Sequence, residues 1–256
     1  MDDMRIDYSE WWNDIVAIAR TNASILLAVA GVFAFLPTLV ASVLLVPMVP
    51  PGEGATAGEL IAAYSQYFSD NWLTQTVVFV LSTFGQLLLY VVLLDPERPP
   101  VGEALRKSLP LFLPFLVTNI LVSLILVGGF MLFIVPALYL VGRVMLAPAA
   151  FVGDARRNPL AAIGRSFSMT KGQGWRIFFF VFLVMLVVLV IQLAVGGTIG
   201  TVLGLLASDG DRFSLGRLLL AALQAAFTSL FFVLGVALWV ALYRRLAGGA
   251  GAARAT

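Results

Sequence analysis

An all-α, polytopic membrane helical bundle is the fold class this sequence predicts, and three observations carry it. Of the 256 residues, 61% are apolar and only 12% charged, about half the charged share of a typical soluble chain. Six apolar runs are each long enough for a bilayer crossing of about 20 residues. The basic residues fall almost wholly on alternate connections between those runs. Together these predict six transmembrane helices as three hairpins, each preceded by a cytoplasmic interfacial amphipathic helix, in one integral domain over residues 1–247.

The first five residues, Met1-Asp2-Asp3-Met4-Arg5, are acidic where a secretory signal would be basic, so they are expected to stay in the mature protein. Trp11, Trp12, Ile15 and Ala19 recur at helical spacing while Glu10, Asp14 and Arg20 fall off that stripe, which predicts an amphipathic helix at the interface. Ala23 to Val46 reads as span 1, with a kink at Pro37. After Pro47 and Pro50-Pro51-Gly52, a short surface helix is expected to carry Leu60, Ile61, Tyr64 and Phe68. Span 2 runs from Trp72 to Leu94 and stops at Asp95-Pro96-Glu97-Arg98.

Residues 109–152 would make a helix of roughly 66 Å, twice the hydrocarbon thickness of about 30 Å, so they must fold as a hairpin. Gly128-Gly129 and Pro136 supply turn chemistry, giving span 3 over 111–127 and span 4 over 134–151. Residues 177–207 carry no charge and are too long for one upright span; Gly196-Gly197 is expected to end or break span 5. The polar turn Ser208-Asp209-Gly210-Asp211-Arg212 leads to span 6 over 218–243. A Gly/Ala-rich tail, 248–256, is expected to be disordered and cytoplasmic.

Charge sets the orientation. With the N-terminus inside, thirteen of the sixteen basic residues lie on cytoplasmic segments, Arg212 and Arg217 lie outside, and Arg143 falls within span 4. The positive-inside rule then places both termini in the cytoplasm. Each odd-numbered span is preceded on that side by a similar pentapeptide: Ala17-Ile18-Ala19-Arg20-Thr21, Ala104-Leu105-Arg106-Lys107-Ser108 and Ala162-Ile163-Gly164-Arg165-Ser166. The coincidence of pattern and topology reads as a threefold repeat of interfacial helix plus hairpin.

The third interfacial segment is the most distinctive. Asn158 can cap it, Pro159 suits its first turn, and Leu160, Ile163 and Phe167 form an apolar stripe. Arg156, Arg157, Arg165 and Lys171 can meet anionic headgroups, with Trp175 at the bilayer boundary. Together with Ile134-Val135-Pro136-Ala137-Leu138-Tyr139-Leu140, Arg143, Leu146-Ala147-Pro148, Thr170-Lys171-Gly172 and Trp175-Arg176-Ile177-Phe178, this stretch resembles the YciC-like bacterial inner-membrane family. That family is similar to the membrane domain attached to some glycerophosphoryl diester phosphodiesterases. The resemblance covers about residues 100–180 and implies a bacterial inner-membrane location. It does not carry the phosphodiesterase activity, which belongs to a separate soluble barrel built on metal-binding carboxylates and histidines.

The chain has no cysteine and no histidine, which excludes disulfides, thiolate catalysis, and zinc, haem or acid/base chemistry through histidine. No phosphate-binding Gly-x4-Gly-Lys-[Ser/Thr] loop occurs, and no Asp or Glu lies inside a span, which argues against an ATP-driven motor or an ion-coupled pump. No cofactor or metal is expected, and a net charge of +2 gives no nucleic-acid footprint. Arg143, the sole ionisable residue deep in a span, is either an anchor for a lipid headgroup or anionic solute, or a structural group paired with helix carbonyls and with neutral residues such as Gln86, Asn119 or Gln192. Ser82, Thr83, Thr118, Ser123, Gln224, Thr228 and Ser229 read as interhelical hydrogen bonds or as a pore lining. Gly196, Gly200 and Gly204 form a small-residue face for helix packing, within the monomer or in a homo-oligomer.

The functional expectation is a non-enzymatic integral membrane protein whose cytoplasmic interfacial helices engage anionic lipid or an integral membrane-protein partner. The competing reading is a passive transporter or channel with Arg143 in its pathway.

Overall fold

The computed structural model describes residues 8–48, 51–52, 54–97, 99–155, 158–205 and 215–252, and every element among them is helical. Six helices are long and apolar enough to cross a bilayer: Ala23–Leu44, Ala57–Leu94, Val101–Leu132, Ile134–Gly153, Gly174–Val202 and Leu215–Gly248. The chain is an integral, multi-pass membrane protein.

Helix α1 (Tyr8–Thr21) buries Trp11, Ile15 and Ile18. The sequence expects a stripe of Trp11, Trp12, Ile15 and Ala19 to lie on lipid; Trp11 and Ile15 lie on protein with Ile18, and Trp12 is exposed. Trp11 meets Phe180 edge-on at 5.0 Å, and Arg245 donates to Asp14 and, at 3.0 Å, to Glu10. The reason is electrostatic: acidic groups flanking the stripe are attracted by Arg245 and repelled by anionic headgroups.

Helix α2 (Ala23–Ala30) passes through a wide π-helical turn, Gly31–Phe35, into α3 (Leu36–Leu44). Pro37 has no amide hydrogen for the Phe33 carbonyl four residues back, and its ring crowds that carbonyl. The wide turn makes room, and the Ser82 hydroxyl supplies the missing donor at 3.2 Å. Beyond α3 the chain is pinned by buried Asn71, which accepts from the Val46 N–H at 2.8 Å and donates to the carbonyls of Val46 and Tyr67 at 3.0 and 2.9 Å.

Helix α4 (Ala57–Leu94) begins at a capping box in which Thr56 accepts from the Glu59 amide and Glu59 accepts from the Thr56 amide. The expected surface helix and span 2 are therefore one helix of 38 residues, about 57 Å long. Ser69-Asp70-Asn71 brings polarity but no Gly or Pro, so nothing interrupts the helix there.

Helix α5 (Val101–Leu132) absorbs the second expected interfacial helix into its first turns and continues through Pro110 and Pro114. Its hairpin with α6 (Ile134–Val144) turns at Phe133, the single residue in extended conformation, rather than at Gly128-Gly129. Gly129 lets the two helices touch, since a Cβ there would stand 3.2 Å from the Ala137 Cα. Span 4 is divided: Pro148 cannot donate to the Val144 carbonyl, and the chain turns at Met145-Leu146 before α7 (Ala147–Gly153).

Helix α8 (Pro159–Met169) is capped by Asn158, whose side chain accepts from the Leu160 N–H at 3.0 Å. It buries Ala162, Ile163, Ser166 and Met169 against the bundle and leaves Leu160 exposed. Helix α9 (Gly174–Ile191) is joined to α10 (Gly197–Leu205) by a second π-helical turn, Gln192–Gly196, so Gly196-Gly197 widens span 5 without ending it. Helix α11 (Leu215–Ala252) runs on into the segment expected to be a disordered tail, as far as Ala252.

The core lies between α4, α5, α7 and α11, where Tyr90, Phe115, Phe151 and Leu238 are fully buried. Phe115 stands edge-on to Tyr90 at 6.1 Å and to Phe151 at 5.7 Å. Helix α6 is peripheral, packing chiefly on α5, α8 and α9. One end of the bundle collects the charged contacts. Lys107 pairs with Asp95 at 3.0 Å, Arg244 donates to the Leu93 carbonyl at 2.6 Å, and Asp154 receives both Arg165 at 2.7 Å and the Tyr243 hydroxyl at 2.6 Å.

Candidate functional site

Arg143 occupies the last turn of α6, where the break before α7 leaves its carbonyl without an amide partner from the next turn. A buried hydroxyl from α8 fills that role: Ser166 donates to the Arg143 carbonyl at 2.6 Å, while the Thr170 hydroxyl, 3.5 Å from the same carbonyl, gives its proton to the Ser166 carbonyl at 2.7 Å. The backbone of Arg143 is thus fixed by the segment that carries the basic residues.

Its side chain is fixed by apolar surfaces. The guanidinium carbon lies 5.1 Å from the Phe167 ring centroid and 5.8 Å from that of Tyr139, within cation–π range. The stem crosses the start of α9 at Gly174, where a Cβ would stand 2.9 Å from the Arg143 Cδ and 2.7 Å from the Tyr139 ring. Nε and Nη1 are buried and have no hydrogen-bond partner, and Arg143 makes no ion pair among the described residues. Among the described residues no carboxylate faces this guanidinium, and the groups against it are the two ring faces.

The surroundings have the same sign. Gly172, at φ +77°, turns the chain from α8 into α9, in a conformation that costs glycine little. Gln173 caps α9 without a side-chain hydrogen bond, so the first amides of an 18-residue helix lie beside Gly174 and the Arg143 stem. Lys171, Trp175 and Arg176 are exposed at this corner, and the Trp175 ring lies 5.8 Å from that of Tyr139.

The other residues read as sites from the sequence are distributed differently. Arg165 is largely withdrawn from the surface in its ion pair with Asp154, and Arg156 and Arg157 lie outside the described residues. Gln86 and Asn119 do not approach Arg143: the first donates to the Tyr90 hydroxyl at 3.4 Å and the second to the Phe115 carbonyl at 3.1 Å. Thr118, Thr228 and Ser229 likewise donate to carbonyls of their own helices, while Ser82 bonds across to α2–α3. Gly196 and Gly200 face α11, where added Cβ atoms would stand 3.5 Å from Phe227 and 3.7 Å from Leu220; Gly204 is on the same helix, α10. A cavity of about 540 Å³ lies elsewhere, between Val91, Asp95, Lys107, Leu111 and Phe151. No group of three metal-ligating side chains is assembled among the described residues.

Sequence reasoning misses Tyr139, Phe167 and Gly174 as parts of this corner. Tyr139 is detectable in principle as the i−4 neighbour of Arg143 on a helix. Phe167 and Gly174 reach Arg143 only through the fold-back of α8.

No family model matches this chain, and no curated protein or solved structure matches it.

Proposed function

We propose that this protein is a non-enzymatic component of a bacterial inner membrane that holds anionic lipid at the corner formed by α6, α8 and α9. The observation that carries the reading is the uncompensated Arg143 guanidinium, with Nε and Nη1 buried and unpartnered. A phosphate or phosphodiester would accept in the two-point geometry that favours arginine over lysine along an edge that includes Nη2, pairing it with Nε–H or with Nη1–H, once the Phe167 and Tyr139 rings give way. Lys171 and Arg176 would add surface attraction of about 1 kcal/mol each near an anionic leaflet, and Trp175 suits the depth at which headgroups begin.

Two further features support a cytoplasmic placement of this corner. The charged contacts of α1, α4, α5, α7, α8 and α11 gather at one end of the bundle, as the positive-inside pattern requires. The stretch resembling the YciC-like family, about residues 100–180, builds α5 to α8 and the start of α9, the elements that make the corner; we propose membership of that family on this basis.

The test is quantitative lipid mass spectrometry after mild detergent extraction, with melting temperature measured on the same samples. Arg143→Lys and Arg143→Gln should both retain less anionic lipid, Gln the least, with melting temperature unchanged or raised. Unaltered lipid content together with a large loss of stability would assign Arg143 to the fold alone.

A further inference from the structure

The turn joining α5 to α6 is built for a different medium from water. Residues 124–138 contain no polar side chain, although they span a helix end, a turn and a helix start. At the tip, Phe130, Met131, Leu132, Phe133, Ile134 and Val135 are 50 to 84% exposed. The other two connections on the same side of the six-span topology are polar or rich in turn residues: Pro50-Pro51-Gly52-Glu53-Gly54 and Ser208-Asp209-Gly210-Asp211-Arg212.

Backbone accounting points the same way. Only Phe133 leaves helical conformation; its N–H donates to the Gly129 carbonyl at 3.0 Å, and its carbonyl accepts from the Ala137 N–H at 3.3 Å. Pro136, in the first turn of α6, has no N–H to leave unmatched. The main-chain groups left without a backbone partner are the Ile134 and Val135 N–H groups and the last carbonyls of α5. The last carbonyls of α5 still require donors, which places the tip near the headgroup boundary and not at the bilayer centre. Reach agrees: residues 109–132 extend about 36 Å as a helix, enough to cross roughly 30 Å of hydrocarbon with a modest tilt. The apolar stretch of α5 is only 17% buried in protein, the lowest of the six spans, so the hairpin stands at the rim of the bundle with its sides open to lipid.

We propose that the α5–α6 tip is an apolar wedge that ends inside the bilayer, among the acyl chains just beneath the headgroups remote from α8, and does not emerge into water. Its partner is lipid hydrocarbon. The inference shares α6 with the Arg143 corner: Phe133 and Arg143 are ten residues apart, about 15 Å of helix, so a tip beneath the far headgroups requires the bilayer to thin at this hairpin or the Arg143, Lys171 and Arg176 side chains to snorkel toward the near headgroups.

The chain has no cysteine, so single spin labels can be placed on Met131→Cys, Phe133→Cys and, as the reference, Gly52→Cys in the full-length protein. In vesicles of phosphatidylcholine and phosphatidylglycerol, collision with dissolved oxygen and with a water-soluble nickel chelate reports depth. The expected result is a several-fold higher oxygen-to-nickel ratio at 131 and 133 than at 52, with melting temperatures matching the parent. Nickel accessibility at 131 and 133 equal to that at 52 would overturn the proposal. Dipolar coupling between labels at 131 that survives dilution into excess lipid would overturn it too, because a second copy would then cover the tip. If one labelled variant fails to fold, the other carries the comparison.

Discussion

Gly142 and Gly174 meet backbone to backbone: a Cβ built on Gly142 would stand 2.1 Å from the Gly174 carbonyl oxygen. The neighbour is main chain, so it cannot rotate away as a side-chain tip can. Gly142→Ala should cost about 1–3 kcal/mol through forced separation of α6 and α9. Gly174→Ala meets the Tyr139 ring and the Arg143 stem instead, at 2.7 and 2.9 Å. It should cost less stability and displace the guanidinium, lowering retained anionic lipid. Reversible unfolding in mixed detergent micelles, with lipid quantified alongside, separates the two outcomes.

Ser82 should matter because of Pro37. Its hydroxyl is the donor for a carbonyl that proline leaves unmatched, and interhelical hydrogen bonds in membrane proteins contribute about 0.6 kcal/mol on average and up to about 1.7. Ser82→Ala should fall in that range. In a Pro37→Ala background, where residue 37 regains an amide, the same substitution should cost less. Equal costs in the two backgrounds would show that Ser82 does not serve the proline site.

The Asp95 carboxyl is held below the ordinary carboxylate range, first by the Glu97 N–H at 3.0 Å and then by Lys107 at 3.0 Å, against the opposing effect of its partial burial. A depressed folded-state pKa gives stability that is present above the unfolded value of about 3.9 and is lost as pH falls through the folded value. Unfolding midpoints should therefore drop as pH is lowered below about 4. Asp95→Asn should flatten that part of the profile while leaving the shape above pH 5 unchanged.

The class of fold and the positions of the apolar spans are legible in the sequence because hydropathy and the placement of Arg and Lys act residue by residue. Breaks within helices are harder to read. Pro148 lies in plain view, but its consequence, a turn at Met145-Leu146, depends on α7 being buried against α4 and α8. Pro110 and Pro114, by contrast, leave α5 unbroken. The stripes of α1 and α8 illustrate a second limit: amphipathicity fixes that Trp11, Ile15 and Ile163 leave water, not whether protein or lipid receives them. Arg143 is singled out by charge alone, but its aromatic and glycine neighbours come from residues 24 and 31 positions away, at Phe167 and Gly174.

The clasp between the first and last helices has a consequence for biosynthesis. Asp14 and Arg245 are 231 positions apart in the chain. At typical bacterial elongation rates of about 5–20 residues per second, α1 emerges roughly 10 to 50 s before the seat for Trp11 and Ile15 on α11 exists. Until then its apolar stripe has only the membrane surface or a chaperone to rest on. Closure of the bundle therefore waits for the synthesis of α11, and a ribosome-bound chain that stops short of Arg245 should show α1 open to proteolysis while the earlier hairpins are already protected.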